Sequence, residues 1–203
     1  MTGKKHLKNK KIFLATKNRH KIEELKAVLS RFGWQTIDAS SLPYEVEENG
    51  KTFCENAIFK AKFYADKYNM TVLSDDSGLM VDALNGRPGI LSSRYAGNDK
   101  KNRETLLKEM EYLKNLNERK AHFVCCVAIV TKKGKIYSIE EICDGYIAFK
   151  ERGNGGFGYD PIFMPEGWNK TFAEIPKIKE EISHRAKAMK KAINLLKRIE
   201  NEI

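Results

Sequence analysis

The chain has 203 residues, 41% of them hydrophobic, and a formal charge of +10. That much apolar material can bury the core of one sizeable domain, which excludes a disordered chain. No apolar run approaches the roughly 18–20 residues of a helical membrane span, and the charge admits an anionic ligand without choosing between nucleic acid and a small phosphate.

The opening MTGKKHLKNKK is basic, and Lys4, Lys5, Lys8, Lys10 and Lys11 carry five of the ten net charges. It leads only into IFLA, too short for a signal-peptide core, so a cytoplasmic protein is expected. Residues 1–10 read as a solvated arm and residues 11–203 as a single domain. Residues 11–15 predict a buried strand, and residues 19–32 a helix with Ile22, Leu25, Val28, Leu29 and Phe32 at helical spacing. Residues 34–37 predict a second strand. Thr52 with Glu55 has the pattern of a capping box, opening a helix to about Tyr68. Residues 71–73 predict a short strand that leaves LSDDSGL at its end. A helix follows over 100–115 with Leu106, Met110 and Leu113 on one face. Residues 122–131 and 135–149 then form a hairpin across Lys132-Lys133-Gly134. RGNGGFGYDP reads as a loop, and Ser183 caps a last helix carrying Met189, Ile193, Leu196 and Ile199. This order predicts an α/β fold with a mixed sheet flanked by helices. Cys54, Cys125, Cys126 and Cys143 show no CxxC or zinc-like spacing and are expected to be free thiols.

Four separated segments are costly if stability is their only purpose. In ATKNRHK a strand turns into a helix whose first N–H groups attract anions, and Lys21 adds a point charge. Thr16 and Asn18 either bond phosphate oxygens there or cap the helix. The segment is not a Walker loop, since GxxxxGK[ST] is missing. In VEENGKTF, Glu47 and Glu48 precede a helix N-terminus, where carboxylates suit the dipole; Lys60 lies two turns further on. In SDDSGL, alternation sends Asp75 and Asp76 in different directions, so only one need face a shared site. Such hard oxygen donors suit Mg²⁺, and a carboxylate can take a proton from an attacking water. The plain alternative is an Asx turn ending the strand. In GGFGYDP and ISHRAKA, the glycines let backbone approach a ligand, while Phe157 and Tyr159 offer flat faces to a base. His184 and Arg185 stand in a first helical turn, where cations are unfavourable without an anionic partner.

Together the stretches FLATKNRHKIEEL, EENGKTFCENAIFKAK, SDDSGLMVDALNGRPGILSSRYAG, GNGGFGYDPIF, KTFAEI and KEEISHRAKA resemble the inosine triphosphate pyrophosphatases, also called XTP/dITP diphosphatases. They occur in family order across nearly the whole chain. The resemblance implies a long curved mixed β-sheet with two lobes and a central cleft, and a homodimer. It implies Mg²⁺-dependent hydrolysis of ITP, dITP and XTP to the monophosphate and pyrophosphate. By the same resemblance Thr16, Asn18 and Lys21 hold the phosphates, helped by the backbone of the turn through Lys17, Arg19 and His20. Glu48 and Asp76 bind the metal, Asp76 accepts the proton of the attacking water, and Asp75 supports the site. Ser77, Lys60 and Lys179 contact substrate. Phe157, Gly158, Tyr159 and Asp160, with His184 and Arg185, form the nucleobase pocket. The family often has glycine after the threonine and before the lysine of its first motif, where this chain has Lys17 and His20. On this reading the two aspartates tolerate each other because a divalent cation and a polarised water stand before them. No membrane and no stable nucleic-acid complex are expected. The rivals are a Maf-like pyrimidine pyrophosphatase and a nucleotide-binding module without turnover.

Overall fold

In the computed structural model, which describes residues 10–43, 46–200 and 203, the apolar run after the basic opening becomes β1 (Lys10–Leu14) near one end of a six-stranded sheet. Residues 1–9 of the expected arm lie outside the described residues. β1 runs parallel both to β2 (Trp34–Asp38) and to β3 (Val72–Val81). The sheet then continues antiparallel through β4 (Lys120–Val130), β5 (Ile136–Ile147) and the short β6 (Phe163–Pro165). The strand order is β2-β1-β3-β4-β5-β6, a mixed sheet of the expected class.

The helices cover it because their apolar stripes need the sheet's faces. α1 (Arg19–Ser30) and α5 (His184–Arg198) bury Leu25, Leu29, Met189, Ile193 and Leu196 against Ile12, Leu14, Leu73 and Ile129. α2 (Phe53–Tyr68) covers the opposite face, where Ala57, Ala61 and Tyr64 meet Phe13, Val72 and Val130. A third apolar cluster lies at the far end, built on Leu79, Val81, Leu106, Phe123, Phe163 and Phe172. The core is thus divided between two ends of one sheet. No helix among the described residues is long and apolar enough to cross a membrane.

Local signals set most of the boundaries. Thr52 Oγ1 accepts the Glu55 N–H at 3.1 Å, and the Glu55 carboxylate accepts from Lys51 N–H, one residue before the expected reciprocal partner. Asn69, left-handed at φ 50°, ends α2. Ser183 Oγ accepts the Ala186 N–H and caps α5. α3 (Asp99–Glu109) is shorter than expected, and α4 (Pro176–Ile182) and β6 were not expected at all. α4 is two turns long, and β6 has only the end of β5 to pair with, so neither leaves a periodic trace.

The largest departure concerns β3, a ten-residue strand where only residues 71–73 were expected. Asp75 and Asp76 therefore sit in mid-strand and not at a strand end or in an Asx turn. β4 makes this possible by pairing with β3 from Val72↔Val130 to Val81↔Ala121. A second correction concerns the cysteines: Cys54 and Cys126 form a disulfide, leaving Cys125 and Cys143 as buried free thiols. The two are 72 residues apart, but the sheet brings Cys126 beneath the first turn of α2.

Candidate active site

β1 pairs with β3 only through Phe13↔Val72 and Leu14↔Leu73. Beyond Ala15 the chain turns away at Thr16, while β3 continues. The edge of β3 from Asp76 to Gly78 consequently borders a cavity of about 520 Å³. Of the residues singled out for catalysis, metal binding or substrate contact, all except Arg19 and His20 line it. Arg19 is exposed to solvent. His20 is exposed too, but its ring stacks on Phe157 with centroids 4.8 Å apart and planes within 7°.

Strand alternation separates the two aspartates. Asp75 points with Leu73 towards α1 and α5, and Asp76 points with Val72 towards α2. Asp75 is fully buried and bonds Lys21 Nζ and Arg185 Nε, each at 3.1 Å. Burial alone would raise its pKa, but Lys21, Arg185 and Lys60 outweigh that and hold its carboxyl well below the ordinary range. Arg185 also donates to Ser77 Oγ at 2.7 Å and to Glu24 at 2.8 Å. The cations compensating Asp75 are thus side chains behind the strand. This corrects the expectation that a metal and a water in front of both aspartates let them coexist.

Asp76 meets different neighbours. Its Oδ2 accepts from Asn56 Nδ2 at 3.1 Å, and Lys60 Nζ lies 3.9 Å from its Oδ1. Burial raises its pKa, Lys60 and Lys21 counteract, and the nearby Glu48 pushes the same way as burial; the net direction is upward. Lys60 Nζ also bonds Glu48 Oε1 at 2.5 Å and the Asp75 carbonyl at 2.9 Å. Glu48 further faces Arg94 at 3.7 Å. One ammonium therefore reaches both Glu48 and Asp76, so the two carboxylates converge on a common point of positive charge. With only hard oxygen donors in the pair, and a carboxyl made basic by crowding and burial, these residues fit a divalent cation such as Mg²⁺.

The glycine-rich loop forms the opposite wall. Asp160, which is buried, accepts from Phe157 N–H at 2.8 Å and from Lys179 Nζ at 2.7 Å. Gly156, at φ 74°, is required there because a Cβ would collide with the Asp160 carboxylate. Gly158 N–H donates to Asp99, and Tyr159 OH donates to the Ser92 carbonyl at 2.9 Å. These bonds hold Phe157 half-exposed at the rim, with Lys179 Nζ 4.5 Å from its ring centroid. His184 is buried and stacks on Phe123 at 4.5 Å, and its Nδ1 has no partner among the described residues. Burial, with Arg185 and Lys179 nearby, drives its pKa well down, so the imidazole is neutral at physiological pH. This resolves the placement of two cationic residue types in a first helical turn: Arg185 has Asp75 and Glu24, and His184 carries no charge.

On the phosphate side, Asn18 Oδ1 accepts the Lys21 N–H at 3.2 Å and caps α1, while Thr16 Oγ1 accepts the Asn18 N–H at 3.2 Å. The capping alternative therefore holds for Asn18, and the turn it shapes lines the cavity with Lys17 and Lys21. Sequence reasoning missed Asn56, Glu24, Asp99 and Arg94. Asn56 left a usable sign, a polar residue on the helix face shared with Lys60 four positions on. The other three act through partners distant in sequence and left none.

The chain matches the Ham1 family over residues 12–195. It is 44% identical over 187 residues to a dITP/XTP pyrophosphatase of Oceanobacillus iheyensis, covering 89% of this chain and 94% of that one. The structure is similar to that of the Staphylococcus aureus Ham1 protein, with a TM-score of 0.82, 39% identity, and coverage of 93% and 98% of the two chains. It is also similar to that of a HAM1 protein from Coxiella burnetii, with a TM-score of 0.83, 36% identity, and coverage of 93% and 99%.

Proposed function

The chain belongs to the Ham1 family, and on that premise we propose that it hydrolyses ITP, dITP and XTP to the monophosphate and pyrophosphate. The observation that carries this reading is the meeting, in one cavity, of the Glu48–Lys60–Asp76 cluster, the Lys21 turn and the Phe157 wall. Charge and a flat apolar face are what a nucleoside triphosphate requires at its two ends.

The base lies against Phe157, between the glycine-rich loop and the first turn of α5. His184, neutral and with an uncommitted ring nitrogen, is suited to a hydrogen bond with the base edge. Arg185, whose guanidinium is engaged by Asp75, Glu24 and Ser77, shapes the pocket from behind. The triphosphate lies over the turn 16–21, where Lys21 and the start of α1 offset its charge. Asp76 takes a proton from a water in line with the α-phosphorus. A bond forms between that oxygen and phosphorus, and the bond to the α,β-bridging oxygen breaks. Pyrophosphate leaves with the electron pair, towards the lysines of the turn. Asn56 fixes the Asp76 carboxylate for this transfer. Glu48 and Asp76 would hold Mg²⁺, which when bound supplies charge neutralisation at the phosphates and lowers the pKa of water. A homodimer working in the cytoplasm completes the reading.

The test is pyrophosphate release from ITP, XTP, GTP, ATP and a pyrimidine triphosphate, with and without Mg²⁺. The reading expects Mg²⁺-dependent release with ITP and XTP preferred. A pyrimidine preference would favour a Maf-like activity, and binding without release would leave a nucleotide-binding module.

A further inference from the structure

The Cys54–Cys126 disulfide occupies a position that its sequence spacing does not suggest. Cys126 is the β4 residue directly opposite Asp76, so their side chains leave the same face of the sheet. Cys54 stands in the first turn of α2, two residues before Asn56. Asn56 is fully buried; it accepts the Gly50 N–H at 2.8 Å and donates to Asp76 Oδ2 at 3.1 Å. Crosslink, strand pair and side-chain amide hydrogen bond thus close a short circuit: Cys54, Cys126, Asp76, Asn56, and back along two residues of the helix. Gly50 also ties the same turn to the segment carrying Glu48.

We propose that Cys54 and Cys126 are positioning residues for hydrolysis: their disulfide locks the first turn of α2, and hence Asn56, against Asp76, and its reversible reduction slows turnover. The proposal rests on the pyrophosphohydrolase reading of the site. Remove the bond and the first turn is held by Phe53, its caps and Asn56 itself, leaving the amide freer to shift relative to the carboxylate. The sulfur open to attack is that of half-buried Cys54, since Cys126 is fully buried. The exposed Glu140 carboxylate lies 3.5 Å from Cys54 Sγ, at the edge of the path an incoming thiol would take. A small-molecule thiolate attacks Cys54 Sγ, the S–S bond breaks, and its electron pair leaves on Cys126 Sγ, which takes up a proton. A second small-molecule thiolate then attacks the small-molecule sulfur of the mixed disulfide and releases Cys54, which is protonated in turn. Two electrons and two protons pass to the protein, and one small-molecule disulfide is formed.

The experiment compares the disulfide form with the same protein after dithiothreitol, with thiols counted under denaturing conditions. The disulfide form should expose two thiols and the reduced form four. Reduction should lower kcat for ITP by about 10- to 100-fold, the scale on which a misplaced catalytic group is felt, with KM changed less than about twofold. Oxidised dithiothreitol should restore it. Cys54→Ser should show the low kcat without response to the reductant, whereas Cys143→Ser should respond as the wild type does. The nitrogen-15 side-chain amide resonance of Asn56 should shift on reduction, a readout that needs no turnover. Equal kcat in the two forms, an unmoved Asn56 resonance, or four free thiols after oxidative treatment would overturn the proposal. If neither form released pyrophosphate, the assigned function would fail while the Asn56 resonance would still decide the positioning claim.

Discussion

Asp75 and Asp76 are adjacent in the chain, yet the two faces of β3 treat them in opposite ways. Behind the strand, Asp75 is fully buried between Lys21 and Arg185, and its carboxyl is held well below the ordinary range. In front, Asp76 borders the cavity with an amide, a more distant ammonium and another carboxylate for company, and its carboxyl is pushed upward. One face has its charges matched and serves the framework. The other leaves a basic carboxylate under-compensated and serves chemistry. A buried ion pair becomes expensive only when one partner is removed, whereas a proton acceptor works because it is not already neutralised.

Substitutions on each face should therefore fail in different ways. Asp76→Asn is expected to cut pyrophosphate release by about 10²–10⁴-fold. Because Asn56 can still bond the new amide, unfolding in urea should shift little. A large loss of stability with turnover intact would exchange the roles assigned to the faces. Asp75→Asn should destabilise the protein by about 3–5 kcal/mol, since buried Arg185 and half-buried Lys21 lose the anion between them. The pH dependence has a definite sign. The folded pKa of Asp75 lies below its unfolded value of about 3.9, so its contribution is fully present above that pH and is lost as pH falls below it. Urea midpoints measured at neutral pH and near pH 3 should accordingly differ less in the Asn variant than in the wild type.

Lys21→Ala sits on the boundary between the two faces. Arg185 remains to pair with Asp75, so the expected stability loss is about 1.5–3 kcal/mol, the worth of a charge-assisted hydrogen bond. It should be accompanied by a higher KM for triphosphates, whereas a stability loss with KM unchanged would confine Lys21 to the framework. Phe157→Leu should have the smallest effect: about a tenfold rise in KM, from lost stacking, with kcat and the urea midpoint close to wild type. An unchanged KM would move the base away from the glycine-rich loop.

Much of this was legible in the sequence because it is written locally. Helical spacing gave α1 and α5, Thr52 and Ser183 marked the starts of α2 and α5, and the β-branched runs gave the β4–β5 hairpin. The four costly segments also converge as expected, although Arg19 stays in solvent and His20 reaches the site only through its stack on Phe157. What escaped is non-local. A pair of aspartates reads as the end of a strand, since nothing nearby says that β4 will pair past them or that Arg185, 110 residues away, will neutralise one. Likewise Cys54 and Cys126 look unrelated until the register of β3 and β4 places them together. Arg185, placed in the nucleobase pocket by resemblance, does line the cavity, and the bonds of its guanidinium to Asp75, Glu24 and Ser77 could not be read from the sequence.

The decisive measurement is hydrolysis of ITP in oxygen-18-labelled water, followed by mass spectrometry of both products. If Asp76 activates a water for attack on the α-phosphorus, the label appears in the monophosphate and the pyrophosphate carries none. Label in the pyrophosphate would put the attack at another phosphorus and contradict the mechanism built on that carboxylate.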